Sequence, residues 1–105
     1  MTSSEVKIQL TAIRENLPPQ YSQSGARKLM SSYENYKHII QVLGQSYSSI
    51  SSPVRAALPD IETAIRQAII GTPKKEAEEC FSRAKQQMTE GINSILLADA
   101  MKLEK

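Results

Sequence analysis

Leu29-Met30-Ser31-Ser32-Tyr33-Glu34-Asn35-Tyr36-Lys37-His38-Ile39-Ile40-Gln41-Val42-Leu43-Gly44-Gln45-Ser46-Tyr47-Ser48-Ser49-Ile50 carries the clearest periodic signal in the chain. Leu29, Tyr33, Tyr36, Ile40, Leu43, Tyr47 and Ile50 follow one another at spacings of 4, 3, 4, 3, 4 and 3. This is the one-sided stripe of a helix rather than the alternation of a strand. It predicts a helix of about seven turns packed nearly parallel or antiparallel to its neighbours. Ser22 or Ser24 is suited to cap its start. Met30, Ile39 and Val42 widen the stripe, which favours burial in a bundle over a two-helix zipper. Gly44 costs such a helix about 1 kcal/mol relative to Ala, and it reads as a mark of close helix crossing. The serine run that ends at Pro53 reads as the point where the helix frays.

The rest of the chain repeats this pattern on either side. Val6, Leu10, Ile13 and Leu17 form one helical stripe over a segment from about Ser4 to Asn16. Ser3 or Ser4 is placed to cap that segment, and Pro18-Pro19 ends it because neither ring donates a backbone hydrogen bond. Beyond Pro53 a short helical turn is expected over 53–58, a break at Leu58, and a helix from Pro59 to Ile70. The inner face of that helix is Ile61, Ile65, Ala68 and Ile69, and Gly71 supplies its left-handed end. Thr72 as cap with Pro73 in the first turn opens a last helix reaching to about Leu103. Ala77, Phe81, Ala84, Met88, Ile92 and Ile95 form its stripe, which drifts once near Gly91. The expected fold is therefore all-α: one domain over residues 1–105, a small antiparallel bundle of three long helices and one shorter. Its connections are expected at 18–23, 48–53 and 70–73.

Composition limits what such a bundle does. The 105 residues carry a formal net charge of +2, too small to imply nucleic acid or membrane from charge alone. A single cysteine, Cys80, excludes an internal disulfide and a multi-thiolate zinc site. No window approaches the roughly 18 apolar residues of a membrane span, and the first residues lack the blocks of a signal peptide. A cytoplasmic protein is the expectation.

Chemistry-bearing groups are sparse. The only histidine, His38, has Glu34 four residues earlier, a spacing that reads as a surface helix pair rather than a catalytic one. Cys80 beside Phe81 reads as an inert, half-buried thiol. The Glu-x-x-His spacing of di-metal bundles is missing, and the four glycines are isolated rather than gathered in a phosphate loop. No catalytic residue, metal ligand or cofactor is expected, and the chain is not expected to be an enzyme.

The tyrosines are the strongest irregularity. Tyr21, Tyr33, Tyr36 and Tyr47 all fall within 27 residues, interleaved with Arg27, Lys28, Lys37 and His38. Three cations less the one carboxylate, Glu34, place the whole net charge of +2 in this stretch. Tyrosine beside a cation suits a protein interface, and it also suits a nucleotide or nucleic acid. The same tyrosines at unbroken heptad spacing equally fit the edge of a core, with hydroxyls reaching water. Tyr21, Arg27, Lys28, Tyr33, Tyr36, Lys37 and Tyr47 are the candidate partner-binding residues. The function expected is that of a non-enzymatic interaction protein (an inhibitor, immunity-type or adaptor module) binding another protein through a helical surface. The alternative is a helical regulator that binds nucleotide or nucleic acid through the same Tyr/Arg/Lys segment. Because the second helix is apolar around much of its circumference, a homodimer is also expected.

Overall fold

The computed structural model describes residues 3–46 and 48–97, and these residues form helices joined by short connections. In chain order they are α1 (Ser3–Glu15), α2 (Gln23–Ser46), α3 (Ser48–Ala56), α4 (Leu58–Ile70) and α5 (Lys74–Leu96). The all-α class read from the periodicity is the class observed. Helix α2, at 24 residues, makes nearly seven turns of about 3.6 residues each. It contacts all four other helices, while α4 and α5 pack most extensively on each other.

One core joins all five helices. Leu29, Tyr33, Tyr36, Ile40 and Leu43 of the α2 stripe are buried, and they meet Val6 and Leu10 of α1. Ile61 and Ile65 of α4 and Phe81, Met88, Ile92 and Ile95 of α5 complete it. Ile13 and Leu17 lie partly buried against the same cluster. The last two positions of the α2 stripe, Tyr47 and Ile50, and the expected end of the last helix near Leu103 fall outside the residues and side chains described.

Local chemistry sets the helix ends. Ser22 Oγ accepts the N–H of Gly25 at 2.9 Å, so Ser22 satisfies one of the donors that the first turn of α2 leaves without a helical partner. Gly71 ends α4 at φ 77°, and its N–H bonds Gln67 O. Only a residue without Cβ takes that left-handed conformation cheaply. Pro73 precedes α5 in extended conformation after a cis Thr72–Pro73 bond, and α5 begins one residue later than the Thr72–Pro73 pattern implies.

Two expectations change. The stretch 48–53, read as a connection, is helical and belongs to α3 with Pro53 inside it. Serine is only moderately disfavoured in helices, and Val54 of α3 is buried in the core, so packing overrides the local preference. The break falls at Ala57, one residue earlier than expected. Pro59 then lies within the first turn of α4, where its missing N–H costs no helical bond. The bundle thus consists of α2 and α5 as long helices, α1 and α4 of 13 residues each, and the short α3.

The face of α2 that motivated a homodimer is largely covered within the chain itself. Ile39 is 2 % exposed and Tyr36 is fully buried. Met30 and Val42 remain half-buried, and Met30 packs against the core.

Candidate functional site

The connection from Asn16 to Ser22 brings predicted site residues to the surface and positions them. Pro18 and Pro19 cannot extend α1, so the chain runs across the bundle toward α4 and α5 before α2 begins. Tyr21 is fastened at both ends of its side chain. Its hydroxyl donates to Ala68 O at 3.0 Å, and its ring meets Phe81 edge-on, with centroids 5.6 Å apart and planes at 78°. Lys85 covers the Phe81 ring at 5.7 Å, and its Nζ donates to Pro19 O at 3.3 Å. A contact network from three elements therefore fixes the connection on α5.

This packing leaves a groove of about 660 Å³ between Pro19–Tyr21 and one face of α5. Glu78, Ser82, Lys85, Gln86, Thr89 and Glu90 supply the helical wall, at spacings that keep them on one side. The Lys85 ammonium is engaged with Pro19 and Phe81, and Glu90 accepts a hydrogen bond from Gln86 at 3.0 Å. On the other side of the same connection, a second groove of about 670 Å³ runs from Glu15 to Lys28.

The seven candidate residues do not form one surface. Tyr21 lines the first groove, Lys28 lines the second, and Arg27 is exposed beside Lys28. Tyr33 and Tyr36 are core residues, which corrects their reading as partner-binding groups. The Tyr33 hydroxyl donates to Leu58 O at 3.1 Å. Burial, reinforced by the nearby Glu62 carboxylate, pushes its pKa up to about 12. Burial raises Tyr36 further, with Tyr33 adding to the effect. Lys37 turns toward α4, where its Nζ lies 3.9 Å from Glu62, a carboxylate also held by Arg66 at 2.9 Å. Tyr47 lies outside the described residues.

The other reactive side chains occupy plain settings. Cys80 is buried, with an Arg83 guanidinium nitrogen 3.8 Å from its sulfur. His38 is exposed beside a groove between α1 and α2, and it makes no ion pair with Glu34 among the described residues. No group of three or more metal-ligating side chains occurs among the described residues. None of the helices searched among them is long and apolar enough to cross a membrane.

Sequence reasoning missed Pro19, Phe81, Lys85, Gln86 and Thr89 as groove residues. A signal existed in the mixed face of α5, where an aromatic, a cation and polar groups recur every three or four residues. Its partner, the Pro-Pro-Gln-Tyr segment, lies some sixty residues away, and only the fold joins them. No protein-family model, curated protein or solved structure matches the chain.

Proposed function

We propose that the chain is a non-enzymatic interaction module, of the inhibitor, immunity-type or adaptor kind, that binds another protein in a cytoplasmic setting. The observation that supports this is the groove between Pro19–Tyr21 and α5. It combines a large concave area with a rigid aromatic pair, a half-buried cation and polar rim groups. Tyr21 is half-buried and already locked in place against the buried Phe81, so it loses little freedom when a partner covers it, which makes it an effective interface anchor. A foreign protein is favoured over a second copy by the burial within the chain of Tyr36 and Ile39, two residues of the face that motivated a homodimer.

A second reading rests on Arg27 and Lys28, which are exposed and make no ion pair among the described residues. They would contact phosphates of a nucleotide or nucleic acid. Photo-crosslinking in native extract separates the two. A crosslinker at Gln86 is expected to capture a protein that survives nuclease treatment, while one at Arg66, outside this groove, does not. Capture only from Lys28, abolished by nuclease and weakening steeply with salt, would favour the phosphate reading and overturn the groove.

A further inference from the structure

The charges that the Pro19–Tyr21 and α5 groove exposes sit at its two ends. Glu78, Ser82, Gln86 and Glu90 follow at intervals of four, so they form one row along α5, and all four are exposed. Carboxylates hold the ends of this row and neutral side chains hold its middle. At a rise of about 1.5 Å per residue, the ends lie about 18 Å apart. Neither carboxylate makes an ion pair among the described residues, and Glu90 receives one hydrogen bond, from Gln86.

The cations nearby do not cancel these charges. Lys85 is half-buried in the groove and turned to Pro19 O and the Phe81 ring. Along the axis it stands about 10 Å from Glu78 and about 8 Å from Glu90, separations at which physiological salt screens much of its charge. Lys75 and Arg83 line an adjoining groove across the Glu78–Ser82–Gln86 row, together with Glu79.

Charge therefore selects the occupant. An anionic segment would meet two exposed carboxylates and one half-buried ammonium. An uncharged segment would strip water from the carboxylates and return no counter-charge, which is costly. A segment with a cation at each end keeps both paired. Arginine suits the task, because its fork of donors matches a carboxylate. Between the ends the groove offers the half-buried Tyr21 beside the uncharged Ser82 and Gln86.

We propose that the groove takes a basic segment of the partner protein, with two cationic side chains about 18 Å apart and uncharged, largely apolar residues between them. The cations pair with Glu78 and Glu90, and the residues between them lie on Tyr21. This rests on the groove being the partner-binding surface and adds the chemistry of what it holds.

The test is a titration of the full chain with the peptide acetyl-Arg-Ala-Leu-Leu-Ala-Arg-amide, read by amide NMR shifts. Extended, its terminal residues lie about 17 Å apart, and the arginine side chains reach the rest. Saturable shifts at Tyr21, Glu78, Gln86 and Glu90 are expected, with a dissociation constant on the order of millimolar, as suits a short flexible peptide. The same peptide with glutamine at both ends should bind about fivefold more weakly, and with glutamate at both ends it should give no saturable shifts in the groove. The chain's own net charge is +2, so attraction by net charge alone would rank the three peptides in the opposite order. Glu78→Gln and Glu90→Gln change exposed helix positions where glutamine keeps good helix propensity. Each should weaken the arginine peptide about two- to fivefold. Glu79→Gln, which alters net charge equally but lines only the adjoining groove, should bind like the parent. Arginine and glutamine peptides that bind alike in the groove would overturn the basic segment and leave the groove reading in place, which the Gln86 crosslink tests by itself. Tightest binding by the glutamate peptide, no saturable shifts with the arginine peptide, or equal losses in all three variants would also overturn it.

Discussion

Gly91→Ala sets two physical effects of opposite sign against each other. Gly91 lies well inside α5, where replacing glycine by alanine ordinarily gains about 0.8–1.0 kcal/mol of helix stability. The structure demands the reverse. The new Cβ runs into the Tyr36 hydroxyl and lies 2.7 Å from Val54 Cγ1. Neither neighbour gives way easily, because Tyr36 is fully buried and Val54 is β-branched and 7 % exposed. Overpacking a core by one methyl typically costs about 1–3 kcal/mol, and two simultaneous collisions put this case near the top of that range. The net expectation is destabilisation by about 2 kcal/mol, or roughly 8 °C in melting temperature for a domain of this size. Urea unfolding with an unchanged slope measures it. In a Tyr36→Phe background the oxygen is gone, so the same change should cost about 1 kcal/mol less, a coupling that a double-mutant cycle detects. A Gly91→Ala chain that gains stability would refute the close approach of α2 and α5.

Three further perturbations probe the core and its edges. Ile40→Ala removes a fully buried side chain from the middle of the α2 stripe and should cost about 2–5 kcal/mol in urea unfolding. Ser22→Ala removes the acceptor for the Gly25 N–H, with an expected loss of about 1 kcal/mol in the same assay. At alkaline pH, Tyr33 stays neutral in the folded chain up to about 12, whereas an unfolded tyrosine ionises near pH 10. The folded state thus keeps a proton that the unfolded state releases, so stability is full below about pH 10 and falls as pH rises through 12. Tyr33→Phe should lessen that fall in unfolding curves collected across this window, leaving the part that the buried Tyr36 contributes.

The helices were legible in sequence wherever a stripe and a breaker agreed. Leu29 to Leu43 supplied the stripe of α2, and Ser22, Pro18-Pro19 and Gly71 supplied boundaries that act through backbone hydrogen bonds. Helix α3 was legible only from Pro53 onward, because the four serines before it are poor local evidence for a helix that Val54 ties into the core. The tyrosines were ambiguous for a related reason. Tyr33 and Tyr36 sit on the stripe and turn inward, but heptad spacing alone does not say whether their hydroxyls reach water or a buried acceptor such as Leu58 O. Gly91 stood out in the α5 stripe, yet the contact that leaves no room for a Cβ there, the Tyr36 ring end, lies on another helix. The groove was least legible, since it joins Pro19 to Lys85 and owes its shape to the path of a connection.

Affinity is the most direct measure of whether the proposed partner sits in the groove between Pro19–Tyr21 and α5. The protein captured through Gln86, once purified, is titrated by calorimetry against the parent chain, Ser82→Arg and Arg66→Ala. Ser82 is an exposed groove residue in mid-helix, and arginine keeps good helix propensity there while filling the groove. If the partner occupies this groove, Ser82→Arg binds at least about tenfold more weakly, about 1.4 kcal/mol, and Arg66→Ala binds like the parent chain. Undiminished binding by a folded Ser82→Arg chain would contradict it.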